Sequence, residues 1–240
     1  MARIITHKWV GKAIAVITKD KVRQYGCVYA THFEAVINPI KAALFWGLYE
    51  REEANFISKY LSGKYPVIEL GGSLGIISCV AGKKLSGKKL IIVEANRSLI
   101  PVIEENLKVN KISNYAIEWG GVGSGQELYF LQGDRSYKGE VIREFKPGCA
   151  PVKEIDLVSL PDRYNISSFS LVSDIEGAEN SFLFENPGGL IHCKEMIIEL
   201  HGTNDQGNII SISTQKEQIE KSGFTIIDTL GTVIYARREG

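Results

Sequence analysis

The chain has 240 residues, 44% hydrophobic, 9% aromatic and 23% charged, the balance of a soluble globular protein able to bury a core without staples. Lys plus Arg number 28 and Asp plus Glu 28, so no net field attracts nucleic acid or an anionic membrane surface. The longest apolar runs, Ala13–Ile17 and Ala42–Trp46, fall far short of the ~20 residues of a membrane span, and Lys12 interrupts any leader-like stretch, so the cytoplasm is the expected compartment.

Residues 1–65 read as an α+β appendage or cap. Val22–Ala30, rich in Val and Tyr with loose alternation, predicts a strand, and Pro39–Leu48 a helix with proline in its first turn. Glu50–Leu61 predicts a second helix, with Phe56, Ile57, Tyr60 and Leu61 at 3–4 spacing and Ser62-Gly63 closing it. From Pro66 onward, short apolar runs alternate with helical periodicity: strand Val67–Leu70, helix Ile76–Leu85, strand Leu90–Val93, helix Leu99–Val109, strand Tyr115–Trp119. That order predicts a doubly wound parallel α/β sheet over 66–240, because parallel neighbours need right-handed helical crossovers. Gly120–Pro151 breaks the rhythm with a short strand, Glu127–Leu131, and a polar loop, Gln132–Lys138. Afterwards come strand Phe169–Val172 ending at Asp174, helix Ala178–Phe184, strand Glu195–Leu200 ending at His201, and helix Thr214–Ser222. Phe224–Asp228 and Thr232–Ala236 predict a closing antiparallel hairpin. Cys27, Cys79, Cys149 and Cys193 stand far apart, without CxxC or zinc-ligand spacing, as reduced thiols.

The sharpest local signal is Glu69-Leu70-Gly71-Gly72-Ser73-Leu74-Gly75, between the first strand of the sheet and its first helix. Glycines there permit a tight turn and close ligand approach, while the helix N-terminus offers free N–H groups. At the tip of the next strand, Glu94 can accept hydrogen bonds from both hydroxyls of a ribose, which predicts an adenosine-containing ligand on the carboxyl edge. The order GGxxG, preceded by the acid Glu69, disfavours the pyrophosphate of a nicotinamide cofactor and suits the ammonium and sulfonium of S-adenosylmethionine (SAM). Glu69 as a plain helix cap or lysine partner is the alternative.

A second cluster, Asp174-Ile175-Glu176-Gly177-Ala178-Glu179, follows a strand expected beside the first, and puts Asp174 on the same edge. Glu176 and Glu179 share a helix face, although acids in a first turn also serve the helix dipole. In Glu199-Leu200-His201 the outer two residues point to one side, and a histidine converging with Asp174 on a cofactor edge is a candidate base.

In these segments, over residues 45–202, the sequence resembles the FkbM-type SAM-dependent methyltransferases. The resemblance runs from Gly47-Leu48-Tyr49-Glu50 through the Glu69–Gly75 turn, Val93-Glu94-Ala95-Asn96 and Glu105–Asn110 to Asp174–Glu179 and Ile198-Glu199-Leu200-His201. It implies a class I fold, a mostly parallel seven-stranded Rossmann-like sheet, and O-methylation of a sugar, glycan or secondary metabolite. It places SAM contacts at Glu69, Gly71, Gly72, Ser73, Gly75, Glu94, Ala95, Gly120, Gly121 and Asp174, with Trp119 a weaker adenine contact. The chain departs from the family where Glu69 and Gly72-Ser73 replace an Asp-x-Gly-Ala-Asn pattern, where Ala95 replaces a proline, and where Gly120-Gly121 replaces an Asn or Ala before Val-Gly. Asn106 and Asn110 match it, and Asn110 is also an ordinary helix C-cap.

Methyl transfer to a hydroxyl needs positioning and loss of a proton, so the expected catalytic residues are His201, Asp174 and Glu176. Mg²⁺ held by Asp174 and Glu199 is a variant, ranked below metal-free base catalysis because two carboxylates and one His are few ligands. A nicotinamide-dependent oxidoreductase and a catalytically silent SAM-binding module are the rival functions. The expected partners are a small-molecule or glycan acceptor and neither nucleic acid nor membrane; the N-terminal strand could pair across a homodimer. Tyr25, Tyr29, Arg135 and Tyr137 could face a sugar or simply pack.

Overall fold

Val67–Leu70 and Leu90–Glu94 are buried at every position, the signature of central parallel strands covered on both faces. The computed structural model describes residues 5–133, 139–205 and 208–238. The chain opens with helix Lys8–Thr18, a hairpin of β1 (Lys21–Gln24) and β2 (Cys27–Ala30), and helices Asn38–Phe45 and Arg51–Tyr60. Then follow β3 (Val67–Leu70), helix Ile76–Lys84, β4 (Leu90–Glu94), helix Ile100–Val109 and β5 (Tyr115–Trp119). The middle carries β6 (Gly121–Val122), β7 (Leu128–Gln132), β8 (Gly139–Ile142), β9 (Cys149–Val152), β10 (Glu154–Ile155) and the short helix Leu160–Arg163. Next come β11 (Phe169–Ser173), β12 (Cys193–Glu199) and the pair β13 (Thr203–Asp205) and β14 (Asn208–Ile210). Helix Ile212–Lys221, β15 (Thr225–Leu230) and β16 (Val233–Arg237) close the chain.

Seven strands form the central sheet in the order β15-β16-β12-β11-β3-β4-β5, parallel except where β16 runs against β12 and β15. The chain steps outward from β3 to β5 and then returns to β11 on the other side of β3. Connections leaving β3 and β11 therefore diverge, and a crevice opens between their carboxyl ends. On one face Val67, Ile92, Val172 and Ile197 share a core with Ile76, Ile103 and the N-terminal residues Ile14, Tyr29 and Ile57. On the other, Ile68, Leu70, Ile91 and Ile198 pack with Phe182 and Ile219.

Several elements differ from the sequence expectation. Val22–Ala30 is a hairpin rather than one strand, because Tyr25 and Gly26, at φ 51° and 71°, make a tight turn in the middle of it. Asn110 caps helix Ile100–Val109 as expected, with the left-handed turn falling on Lys111 at φ 61°, and its side chain has a further use. Its amide donates to the Val28 carbonyl at 2.7 Å and its Oδ1 accepts the Val28 N–H at 2.9 Å. Asn106 likewise accepts from the Ala30 N–H and donates to the Leu74 carbonyl, both at 2.8 Å. The two asparagines act as a neighbouring strand for β2 and tie it to helix Ile100–Val109. Tyr29, considered for a sugar contact, is fully buried, and the Tyr25 hydroxyl donates to the Tyr49 carbonyl. Arg135 and Tyr137 lie outside the described residues.

The Gly120–Pro151 region, read as hairpin and loop, contains a three-stranded antiparallel sheet, β8-β7-β9. The expected helix Ala178–Phe184 is reduced to a wide π-type turn over Ser181–Glu185, since Glu176 and Gly177 take positive φ values of 52° and 106°. Cys27, Cys79, Cys149 and Cys193 are all unpaired. No helix among the described residues is long and apolar enough to cross a membrane.

Candidate active site

The turn after β3 is built on a backbone approach that only glycine permits. Gly71 has φ +89°, and a Cβ there would fall 2.0 Å from the Asp174 carbonyl oxygen, so the turns after β3 and β11 touch. Gly72 and Gly75 serve packing: a Cβ on Gly72 would meet Ile92 and Ile103, and one on Gly75 the Ile103 backbone. Glu94, only 6% exposed, closes the turn from the tip of β4. Its Oε2 accepts the Ser73 N–H at 2.7 Å and its Oε1 the Asn96 N–H at 2.6 Å. Burial pushes the Glu94 carboxyl up to about 7, with the N–H groups of Asn96 and Ser73 opposing the rise.

Beside this turn runs a cleft, partly open to solvent, walled by the turns after β3 and β11, the tip of β4 and strands β7 and β8. Of the residues singled out in the sequence, Gly71, Ser73, Glu94, Ala95, Gly120, Gly121, Asp174 and Glu176 line it. Three expected contacts do not: Glu69, Gly72 and Gly75. Glu69 shares a strand face with Val67, is 1% exposed, and lies beneath the first turn of helix Ile76–Lys84. Neither of its oxygens completes a hydrogen bond. Burial pushes it up to about 8, the nearby hydroxyl and N–H of Ser78 partly opposing the rise and Glu94 adding to it. Gly120 also has a packing role, since a Cβ there would strike Ile155. Trp119 stands outside the lining; its indole donates to the Ala95 carbonyl while Arg97 covers its ring.

A second recess adjoins the cleft, lined by Tyr49, Glu50, Glu53, Glu199 and others, and Ser73, Asp174 and Glu176 line both. Those three residues mark the passage between the two spaces. His201, 24% exposed on its side chain, stands behind it. Its Nδ1 lies 3.0 Å from Oε1 of the fully buried Glu179. Its Nε2 faces Glu176 at 3.7 Å, Asp174 at 3.8 Å and Glu199 at 4.0 Å. The Glu179 hydrogen bond raises His201 to about 9 against the opposing effect of burial, so the imidazole is cationic at neutrality. Asp174 is pushed up to about 7 by burial of its carboxyl, then by the charge of Glu199, with His201 opposing. Glu53 reaches about 8 through burial and its contact with Glu199.

Sequence reasoning missed Glu50 and Glu53, whose position at the start of a helix reads as ordinary dipole compensation. It also missed Phe130, Glu140 and Val141, which bring β7 and β8 over the cleft. Phe130 sits in the expected strand Glu127–Leu131, but nothing in its pattern says which surface that strand covers.

No family model matches the chain, and the search of curated proteins returns no match. Among solved structures, the ribosomal protein L11 methylase of Lactobacillus delbrueckii subsp. bulgaricus is similar at 12% identity and TM-score 0.45, over 79% of this chain and 78% of that one. M. jannaschii TYW2, solved in complex with AdoMet, is similar at 14% identity and TM-score 0.45, over 90% of this chain and 82% of that one. A SAM-dependent methyltransferase of Aquifex aeolicus is similar at 12% identity and TM-score 0.42, over 78% and 92%. At these identities and scores the comparisons assign neither activity nor substrate to this chain.

Proposed function

We propose that this chain transfers a methyl group from SAM to a hydroxyl of a small molecule or glycan, in the manner of an FkbM-type O-methyltransferase. The observation that carries the reading is the charge of the cleft. Glu94, Glu140, Asp174 and Glu176 line it, and no lysine or arginine does among the described residues. A pyrophosphate would find no cation there, and the helix N-terminus that could receive one already has the Glu69 carboxyl beneath it. A ligand bearing a sulfonium and an ammonium suits four carboxylates, which favours SAM over a nicotinamide dinucleotide. The same acidity favours a neutral acceptor over a nucleic acid.

SAM supplies an electrophilic methyl group, and this chain's residues do the rest. Glu94 keeps lone pairs for the ribose hydroxyls, since two backbone N–H bonds leave much of its accepting capacity unused. Ser73, Asp174 and Glu176, which line both spaces, would face the methyl group of bound SAM and the hydroxyl of an acceptor in the recess. Asp174 is the proton acceptor there: its carboxyl titrates near neutrality, whereas His201, held as a cation by Glu179, positions the carboxylates around it. Glu176 orients the acceptor. The unpaired cysteines support a reducing compartment, the cytoplasm.

Methyl-labelled SAM incubated with the protein and a panel of hydroxylated sugars, glycans and metabolites tests the reading. Label should appear on a neutral hydroxylated acceptor and fall by at least ~100-fold in Asp174→Asn. Label entering RNA instead would overturn the acceptor class, and an unaffected Asp174→Asn would overturn the base.

A further inference from the structure

Resting on the methyl-transfer reading above, we propose that Asp174, Glu199 and His201 hold a divalent cation of the manganese class that activates the acceptor hydroxyl. One oxygen or nitrogen from each residue lies within 4.8 Å of the other two. The carboxylate oxygens around His201 Nε2, at 3.7 Å from Glu176, 3.8 Å from Asp174 and 4.0 Å from Glu199, are too distant for hydrogen bonds. They stand near the ~3–4 Å that separates donors sharing one ion at ~2.1 Å.

Three further observations point to a cation at this spot. Glu179, fully buried, fixes Nδ1 at 3.0 Å and so turns Nε2 toward the carboxylates, the way a carboxylate commonly orients a ligating imidazole. Oδ1 of Asp174 is buried and has no hydrogen-bond partner. Glu53, nine-tenths buried, lines the same recess as Asp174, Glu176 and Glu199. Glu53 and Glu176 thereby enlarge the three-residue ligand set that seemed too small from the sequence. The imidazole favours a first-row transition ion over magnesium or calcium, and the carboxylates around it select manganese, the ion of that row suited to oxygen ligands.

The cation displaces the Nε2 proton of His201 and takes one oxygen each of Asp174 and Glu199, and the hydroxyl proton passes to the Asp174 oxygen that does not bind the ion. The oxygen lone pair forms the new O–CH₃ bond as the S–CH₃ bond breaks, its electrons returning to sulfur to leave S-adenosylhomocysteine.

The test is Mn²⁺ binding to the full chain, followed by the loss of the free-ion electron paramagnetic resonance signal without SAM. One ion per chain, saturating below ~1 mM, is expected. Glu179→Gln should weaken binding by ~10–100-fold, as loss of a ligand-orienting group does, while leaving the unfolding midpoint measurable as a check on the fold. Asp174→Asn combined with Glu199→Gln should abolish it. Absence of binding at 1 mM, or equal binding by wild type and the double variant, overturns the site. SAM titration of the same samples is a separate readout: Mn²⁺ binding without SAM binding would overturn the methyl-transfer reading and leave the metal site standing.

Discussion

Glu69→Gln exchanges a carboxyl buried without hydrogen bonds for a neutral side chain of the same shape. The Glu69 carboxyl titrates at about 8 in the folded chain against an ordinary 4.5, with burial the main cause. An acid whose folded pKa is raised binds its proton more tightly when folded. Its contribution to stability is therefore complete below the unfolded value and is lost as pH climbs through 8. At ~1.36 kcal/mol per pH unit, the rise from 4.5 to about 8 caps the loss at ~5 kcal/mol, and relaxation around the charge reduces it to ~2–4 kcal/mol. Urea unfolding at pH 5 and pH 9, followed by tryptophan fluorescence, measures it. Wild type should lose that stability relative to the Gln variant between the two pH values. Glu53 and Asp174 titrate in both proteins, so their effects cancel in the comparison. Any fixed cost of burying the amide cancels as well. An identical pH dependence in the two proteins would refute a buried, titrating Glu69.

Gly71→Ala, which would bring a Cβ against the Asp174 carbonyl at a positive φ, should cost at least ~3 kcal/mol in chemical denaturation, and a neutral result would deny the close approach. Asn110→Ala leaves both backbone groups of Val28 without their partners and should cost ~1–3 kcal/mol, with faster hydrogen exchange at the Val28 amide as its local mark. SAM affinity should increase by up to ~10-fold from pH 6 to pH 8 as Glu94, titrating at about 7, ionises and accepts the ribose hydroxyls better. Glu94→Gln should flatten that dependence.

The central strands were legible because Val67–Leu70 and Leu90–Val93 are continuous apolar runs bounded by turns, a pattern that burial on both faces demands. The hairpin at Tyr25-Gly26 was not, because Tyr25, Cys27 and Tyr29 alternate across the turn as they would in one strand. Glu69 shows where spacing reaches its limit. A carboxylate two residues before a glycine turn can aim at a ligand or beneath the following helix, and the pleat that puts it on the face of Val67 decides for the latter. Glu94 and Asp174 were easier, since strand ends at a switch point open onto the same edge whatever the side-chain alternation. Glu53 and the cover from Phe130 depend on how helix Arg51–Tyr60 and strand β7 fold back over the sheet. Contacts of that kind leave no local trace in the sequence.

Calorimetric titration of the wild-type chain with S-adenosylhomocysteine and, separately, with NAD tests the central claim most directly. The account predicts one S-adenosylhomocysteine bound per chain, at least ~10-fold weaker binding after Glu94→Ala, and no measurable heat with NAD. Saturable NAD binding with none of S-adenosylhomocysteine would contradict it.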